Sequence, residues 1–129
     1  MTSKLLKAGA LGAVVSGVPS TAWTLARGES PLDGARAAGA IALPHEKRTL
    51  VLLAAAAPVH VALSFGWAAV LATLPRRGPG WGLLAGLGIA ALDLGVIGRR
   101  IPAIRELPQG RQWADHAAYG LSVGWMLSR

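Results

Sequence analysis

The stretch "TLVLLAAAAPVHVALSFGWAAVLATL", residues 49–74, decides the fold. It holds no Asp, Glu, Lys or Arg, and its one ionisable group is His60. A hydrocarbon core of roughly 30 Å takes about 20 helical residues to cross. In lipid every backbone amide must be paired within the protein, so a run this long and this unalternating is a helix. The histidine in its middle then needs a partner, and the rest of the chain has to supply one.

Three more apolar segments flank that one: "AGALGAVVSGVPSTAWTLA" (8–26), "GWGLLAGLGIAALDLGVIG" (80–98) and "WADHAAYGLSVGWMLS" (113–128). The first and third have spanning length. The fourth is short and is expected to reach the headgroups at both ends. Composition agrees. The 129 residues are 53% hydrophobic and 15% charged, against about 25% charged in an average soluble domain. Mean hydropathy is +0.46. The apolar content is mostly Ala, Leu, Val and Gly, a mixture suited to close helix packing in lipid. Trp23, Trp81, Trp113 and Trp125 stand near segment ends, where amphipathic rings favour the headgroup layer. The expectation is an all-α integral membrane four-helix bundle. Short interfacial helices are expected in "PLDGARAAGAIAL" (31–43) of loop one and "IPAIRELP" (101–108) of loop three.

The net charge of +7 invites a nucleic-acid reading. The cations, however, fall in short clusters between apolar runs, as in "PRRGPG" and "GRRIPAIRELPQGRQ". Contact with anionic lipid headgroups explains the same charge, so the expected partner is the bilayer and not nucleic acid. Loops one and three hold Arg27, Arg36, Lys47, Arg48, Arg99, Arg100, Arg105 and Arg111; the opposite side holds Lys4, Lys7, Arg76, Arg77 and Arg129. The positive-inside rule places the first group in the cytoplasm, while a signal-like first segment carrying Lys4 and Lys7 argues for the reverse. That segment also imitates a secretory signal, but its apolar run continues through Trp23 to Ala26, so it is read as retained. There are no cysteines, which removes disulfides and thiolate metal sites. Asn is absent and arginine outnumbers lysine ten to three, a composition typical of GC-rich bacterial genomes. The expected location is a bacterial cytoplasmic membrane.

A weak repeat runs through the chain. "HVALSFGWAAVLA" (60–72) aligns with "HAAYGLSVGWMLS" (116–128), and "SGVPSTAWTL" (16–25) with "AGLGIAALDL" (85–94). The pairs suggest two duplicated hairpins, 1–74 and 75–129. Positions four apart share a helix face, so His60 goes with Ser64, His116 with Gly120 and Gly124, and Asp93 with Gly82 and Gly86. Small residues let helices approach closely. His60, Ser64, Asp93 and His116 are therefore expected to point inward as a buried polar cluster, with Gly82, Gly86, Gly120 and Gly124 as packing positions. By helical rise, His60 lies roughly 16 Å from the loop-one end, Asp93 roughly 8 Å and His116 roughly 5 Å from the loop-three end. Asp93 and His116 are thus in reach of one another. For His60 the expected partner is Ser64, a backbone carbonyl, or Ser20 or Thr24 of the first segment.

Ionisable groups inside a membrane segment are functional candidates by default. Asp93 with His116 reads as a proton or cation relay of a small transporter, or as a structural bond between two helices; the structural reading is favoured because no polar path accompanies the pair. His60 with His116 is a haem or quinone candidate for electron transfer, weakened by a depth difference of roughly 10 Å. A Ser64/His60/Asp93 protease lacks a glycine-framed nucleophile or oxyanion donor. "HEKRT" (45–49) has Thr49 where a zinc protease helix needs its second His, and "GPGWGLLAGLG" has no Lys-Ser/Thr ending or preceding strand for a phosphate loop. No cofactor, catalytic residue or metal site is expected.

"GVPSTAWTL", "SPLDGARAAGA", "ALDLGVIGRRIPAIRELP" and "WADHAAYGLSVGWML" resemble a group of small four-helix membrane proteins of high-GC bacteria with no assigned function. The resemblance implies a multi-pass membrane protein and carries over no catalytic residue. Its most distinctive pieces, "ALDLGVIGRR" and "WADH", hold Asp93, Asp115 and His116. The leading functional expectation is a non-enzymatic membrane component that self-associates or supports a larger complex.

Overall fold

A computed structural model describes residues 2–129, so Met1, the first residue of the expected repeat, lies outside it. Among the described residues the chain forms six helical stretches, two of them composite. The expected four-helix bundle is therefore corrected. The first stretch is broken into α1 (Ser3–Val15) and α2 (Val18–Ala26). Pro19 explains the break, since it has no N–H to donate to the preceding turn and its ring crowds the carbonyl four residues back. Loop one carries α3 (Leu32–Ala42), which buries Ala37, Gly39 and Ala40. Gly39 sits so close to the Leu52 carbonyl that a side chain there would overlap it. So α3 is a packed element seated on its neighbour.

That neighbour is α4 (Thr49–Ala72), the helix of the opening stretch. Then α5 (Pro79–Leu92) continues through a π turn (Asp93–Ile97) and a 3-10 turn (Gly98–Arg100). A single turn, α6 (Pro102–Arg105), precedes α7 (Gln109–Ser128). Three stretches are long and apolar enough to cross a membrane: Ser3–Ala26, Thr49–Ala72 and Pro79–Arg100. The fourth expected span is corrected as well. α7 begins four residues earlier than its apolar run, taking in Gln109, Arg111 and Gln112, and it does not reach that level of hydropathy.

The least apolar long helix is the one most enclosed by others. α7 packs against α1, α2 and α5, and α5 with α7 is the most extensive pairing of the fold. Glycines make that pairing possible. A Cβ at Gly82 would fall on the Gly120 carbonyl and 2.8 Å from the Gly124 Cα, and one at Gly124 would lie 2.7 Å from the Gly82 Cα. The two backbones touch, as small-residue helix packing allows. α1 packs on both α4 and α7. Gly12 leaves room for the ring of Tyr119, and Ala8, Ala68, Leu71, Ile89, Val123 and Leu127 complete an apolar core with it. A second core at the loop-one and loop-three end joins Ala37, Ala90, Leu94 and Ile104. Outward, the helices present apolar surface: Leu50 is 81% exposed and Val14 72%.

Candidate functional site

The break between α1 and α2 leaves carbonyls without partners on one side and amides on the other, as at any helix end. Two polar side chains from other helices meet them. His60 of α4 places Nε2 2.7 Å from the Ala13 carbonyl in the last turn of α1. A carbonyl only accepts, so this nitrogen carries the proton. Asp115 of α7 accepts the Ser20 backbone N–H at 2.8 Å. α2 has no capping side chain of its own at Gly17; Asp115 takes that place across 95 residues of sequence. An acid at a helix N-terminus is also favoured by the local dipole. The histidine in the apolar run and the acid in "WADH" thus close the two sides of one break. The Ser16 hydroxyl, at the break itself, is sealed from water with no partner.

Beside this lies the Asp93–His116 pair, with His116 Nε2 3.4 Å from Asp93 Oδ2. The other ring nitrogen, Nδ1, donates to the Gln112 carbonyl at 2.8 Å. With Nδ1 holding one proton, the contact to the carboxyl requires a second, either on the imidazole or on Asp93. Asp93 opens the π turn of the α5 stretch, and such turns are frequent at functional sites. Because α5 extends through Arg100 and α7 begins at Gln109, Asp93 and His116 lie at matching depth, about 10 Å from the loop end. His60 sits at about 16 Å by the same rise. Ser64 is buried, and its backbone carbonyl accepts from the Tyr119 hydroxyl; its side chain joins none of His60, Asp93 and His116 by a hydrogen bond.

Above this layer is a cavity of about 750 Å³, walled by Ser20, Thr21 and Thr24 of α2, Arg36 of α3, and Arg111 and Gln112 of α7. Its floor residues Ser20 and Gln112 are the ones whose backbones bond Asp115 and His116. At its rim Arg111 forks onto both Glu29 oxygens, donates to Thr24 Oγ1 at 3.2 Å, and stacks 5.9 Å from the Trp23 ring. Arg111 first and Arg27 second hold the Glu29 carboxyl at about 2, against an ordinary 4.5. Arg48 and two backbone amides do the same for Glu46, also to about 2.

Sequence reasoning missed Arg111, the Asp115–Ser20 cap and the Tyr119 anchor. Pro19 inside an apolar run was the available signal for the cap; nothing in the sequence pointed to Ser20 as its donor. Of the two haem candidates, His116 has both ring nitrogens held by protein partners and His60 has Nε2 held. No group of three His, Cys, Asp or Glu side chains able to hold a metal forms among the described residues. No family model, curated protein or solved structure matches the chain. The chemistry of the site rests on its own geometry.

Proposed function

We infer that the protein is a multi-pass component of a bacterial cytoplasmic membrane, with a non-enzymatic role as a self-associating or accessory subunit. Apolar outward faces support the membrane reading, as do cation–ring pairs at both ends of the bundle: Arg111 with Trp23 at one, Arg76 with Trp81 and Arg129 with Trp125 at the other. Such amphipathic groups favour headgroup level. The more basic loop-one and loop-three end belongs in the cytoplasm. The observation that carries the non-enzymatic role is that His60 and Asp115 are both engaged in repairing the α1–α2 break. Groups used this way organise a fold.

The absence of cysteine makes the topology directly testable. Single cysteines placed at Ser30 and Pro75, both exposed, should be labelled by an impermeant maleimide from opposite sides of sealed vesicles, Ser30 from the cytoplasmic side. Labelling of both from one side would end the multi-pass reading. The Asp93–His116 contact supports a second reading, a small proton-coupled carrier. Proteoliposomes with an entrapped pH dye decide between the two. Proton flux above protein-free liposomes that vanishes in folded Asp93→Asn replaces the accessory role with transport; flux equal to empty liposomes leaves the pair structural.

A further inference from the structure

We propose that the loop-end cavity is a binding site for a small oxyanion, a phosphate or carboxylate group, with Arg36 as its anchor. The proposal is independent of the accessory and carrier readings.

Three observations converge on it. First, Arg36 lines the cavity and makes no hydrogen bond. Its nearest acid, Asp33, is 4.0 Å away, beyond hydrogen-bond range, and its Nε is sealed from water without an acceptor. A guanidinium offers five N–H donors in a planar fork, and a charged donor left unmatched near the interior is costly. Its side chain is 42% exposed, so an anion in the cavity reaches the Nη face directly.

Second, two of the four carboxylates lining the cavity are already paired with other arginines. Glu29 is held by Arg111 and Arg27, and Glu46 by Arg48. Both carboxylates stay ionised and matched, so neither competes for Arg36. Asp33 and Glu106 remain on the acidic side, and Lys47 joins Arg36 on the basic side. The lining itself carries three cations, Arg36, Lys47 and Arg111, and four acids; Arg27 and Arg48, which pair with Glu29 and Glu46 from outside the lining, bring the balance to five against four. Third, the volume suits a ligand well beyond a lone ion; small-molecule sites run to about 300–1,000 Å³. Hydroxyls of Thr21 and Thr24 are available for its neutral part.

The oxyanion has two sources, a free phosphate-bearing solute or the headgroup of an anionic lipid entering from the membrane surface. One experiment separates them. Full-length protein in detergent is titrated calorimetrically with inorganic phosphate. In parallel it is placed in nanodiscs of phosphatidylcholine with phosphatidylglycerol, and retained lipid is counted by native mass spectrometry after delipidation. Wild type should bind phosphate, or retain phosphatidylglycerol over phosphatidylcholine, and Arg36→Gln should weaken that binding about 10- to 100-fold. Arg77→Gln, exposed and at the opposite end of the bundle, should leave it unchanged. Arg36-dependent phosphate binding identifies a soluble ligand; Arg36-dependent lipid retention alone identifies a headgroup. No binding of either probe, or equal binding by wild type and Arg36→Gln, overturns the proposal. If Arg36→Gln does not fold, Arg36→Lys decides, since it keeps the charge and removes the fork. Undiminished binding by that variant overturns the anchor.

Discussion

Gly82 and Gly88 lie on the same helix, and adding one methyl group to each should shift stability in opposite directions. At Gly82 the new Cβ would fall on the Gly120 carbonyl, 2.8 Å from the Gly124 Cα and 3.0 Å from the Gly120 carbonyl carbon, where ordinary contact begins near 3.4 Å. Every obstructing atom is backbone, so no rotamer change relieves the overlap and α5 must move away from α7. That movement loosens the most extensive helix pair of the fold. Overpacking costs about 1–3 kcal/mol, and a backbone obstruction belongs at the top of that range, about 3 kcal/mol. At Gly88 nothing lies within 4 Å of the added Cβ. The helix instead gains about 0.5–1 kcal/mol from replacing glycine with alanine. The two variants should therefore differ by about 4 kcal/mol. The assay is reversible unfolding in mixed micelles titrated with a denaturing detergent, followed by tryptophan fluorescence. A Gly82→Ala protein as stable as wild type, or a Gly88→Ala protein as damaged as Gly82→Ala, would refute the packing argument.

His60→Ala should destabilise by about 1–3 kcal/mol, because it leaves the Ala13 carbonyl without its donor inside the bundle; the same unfolding assay reads it. Asp115→Ala should cost about 1–2 kcal/mol as the loss of a helix cap, and Asp115→Asn less, since an amide oxygen still accepts from Ser20. Tyr119→Phe removes only the hydroxyl bond to the Ser64 carbonyl, which keeps its place in α4, so a loss of about 0.5–1.5 kcal/mol is expected. At the loop end the Glu29 carboxyl lies at about 2 in the folded chain and at 4.5 unpaired. A folded value below the unfolded one means the contribution is present above pH 4.5 and fades as pH falls toward 2. The fluorescence of Trp23, beside Arg111, should change over that window after subtraction of a Trp23→Phe control. Glu29→Gln should abolish that change; its persistence would mean that another group, Glu46 among them, drives it.

Much of the helical content could be read from apolar runs, because a chain segment without polar side chains has few ways to satisfy its backbone. The 49–74 run and α4 (Thr49–Ala72) differ by two residues. The errors came where local pattern and enclosure part company. Reading 113–128 by hydropathy cut off Gln109, Arg111 and Gln112, which the helix includes because neighbouring helices shield it. Residues 8–26 looked uniform because their side chains are, whereas the break arises from a missing backbone donor at Pro19. The helix expected over 31–43 of loop one forms at Leu32–Ala42; its packing on α4 was not legible because its buried face is made of Ala and Gly, residues that carry little periodic signal.

By itself, the sequence determined that this chain is helical, rich in apolar surface, basic at its loops, and equipped with few ionisable groups in its long segments. Those are consequences of composition and of backbone hydrogen bonding, which act along the chain. Only the tertiary structure decided what the ionisable groups meet. The partners of His60 and Asp115 are an Ala carbonyl and a Ser amide, backbone groups that every residue but proline carries. Such a partner has no sequence signature. It becomes special only when a helix breaks at that point, and only the packing of α4 and α7 against that break brings the two side chains to it.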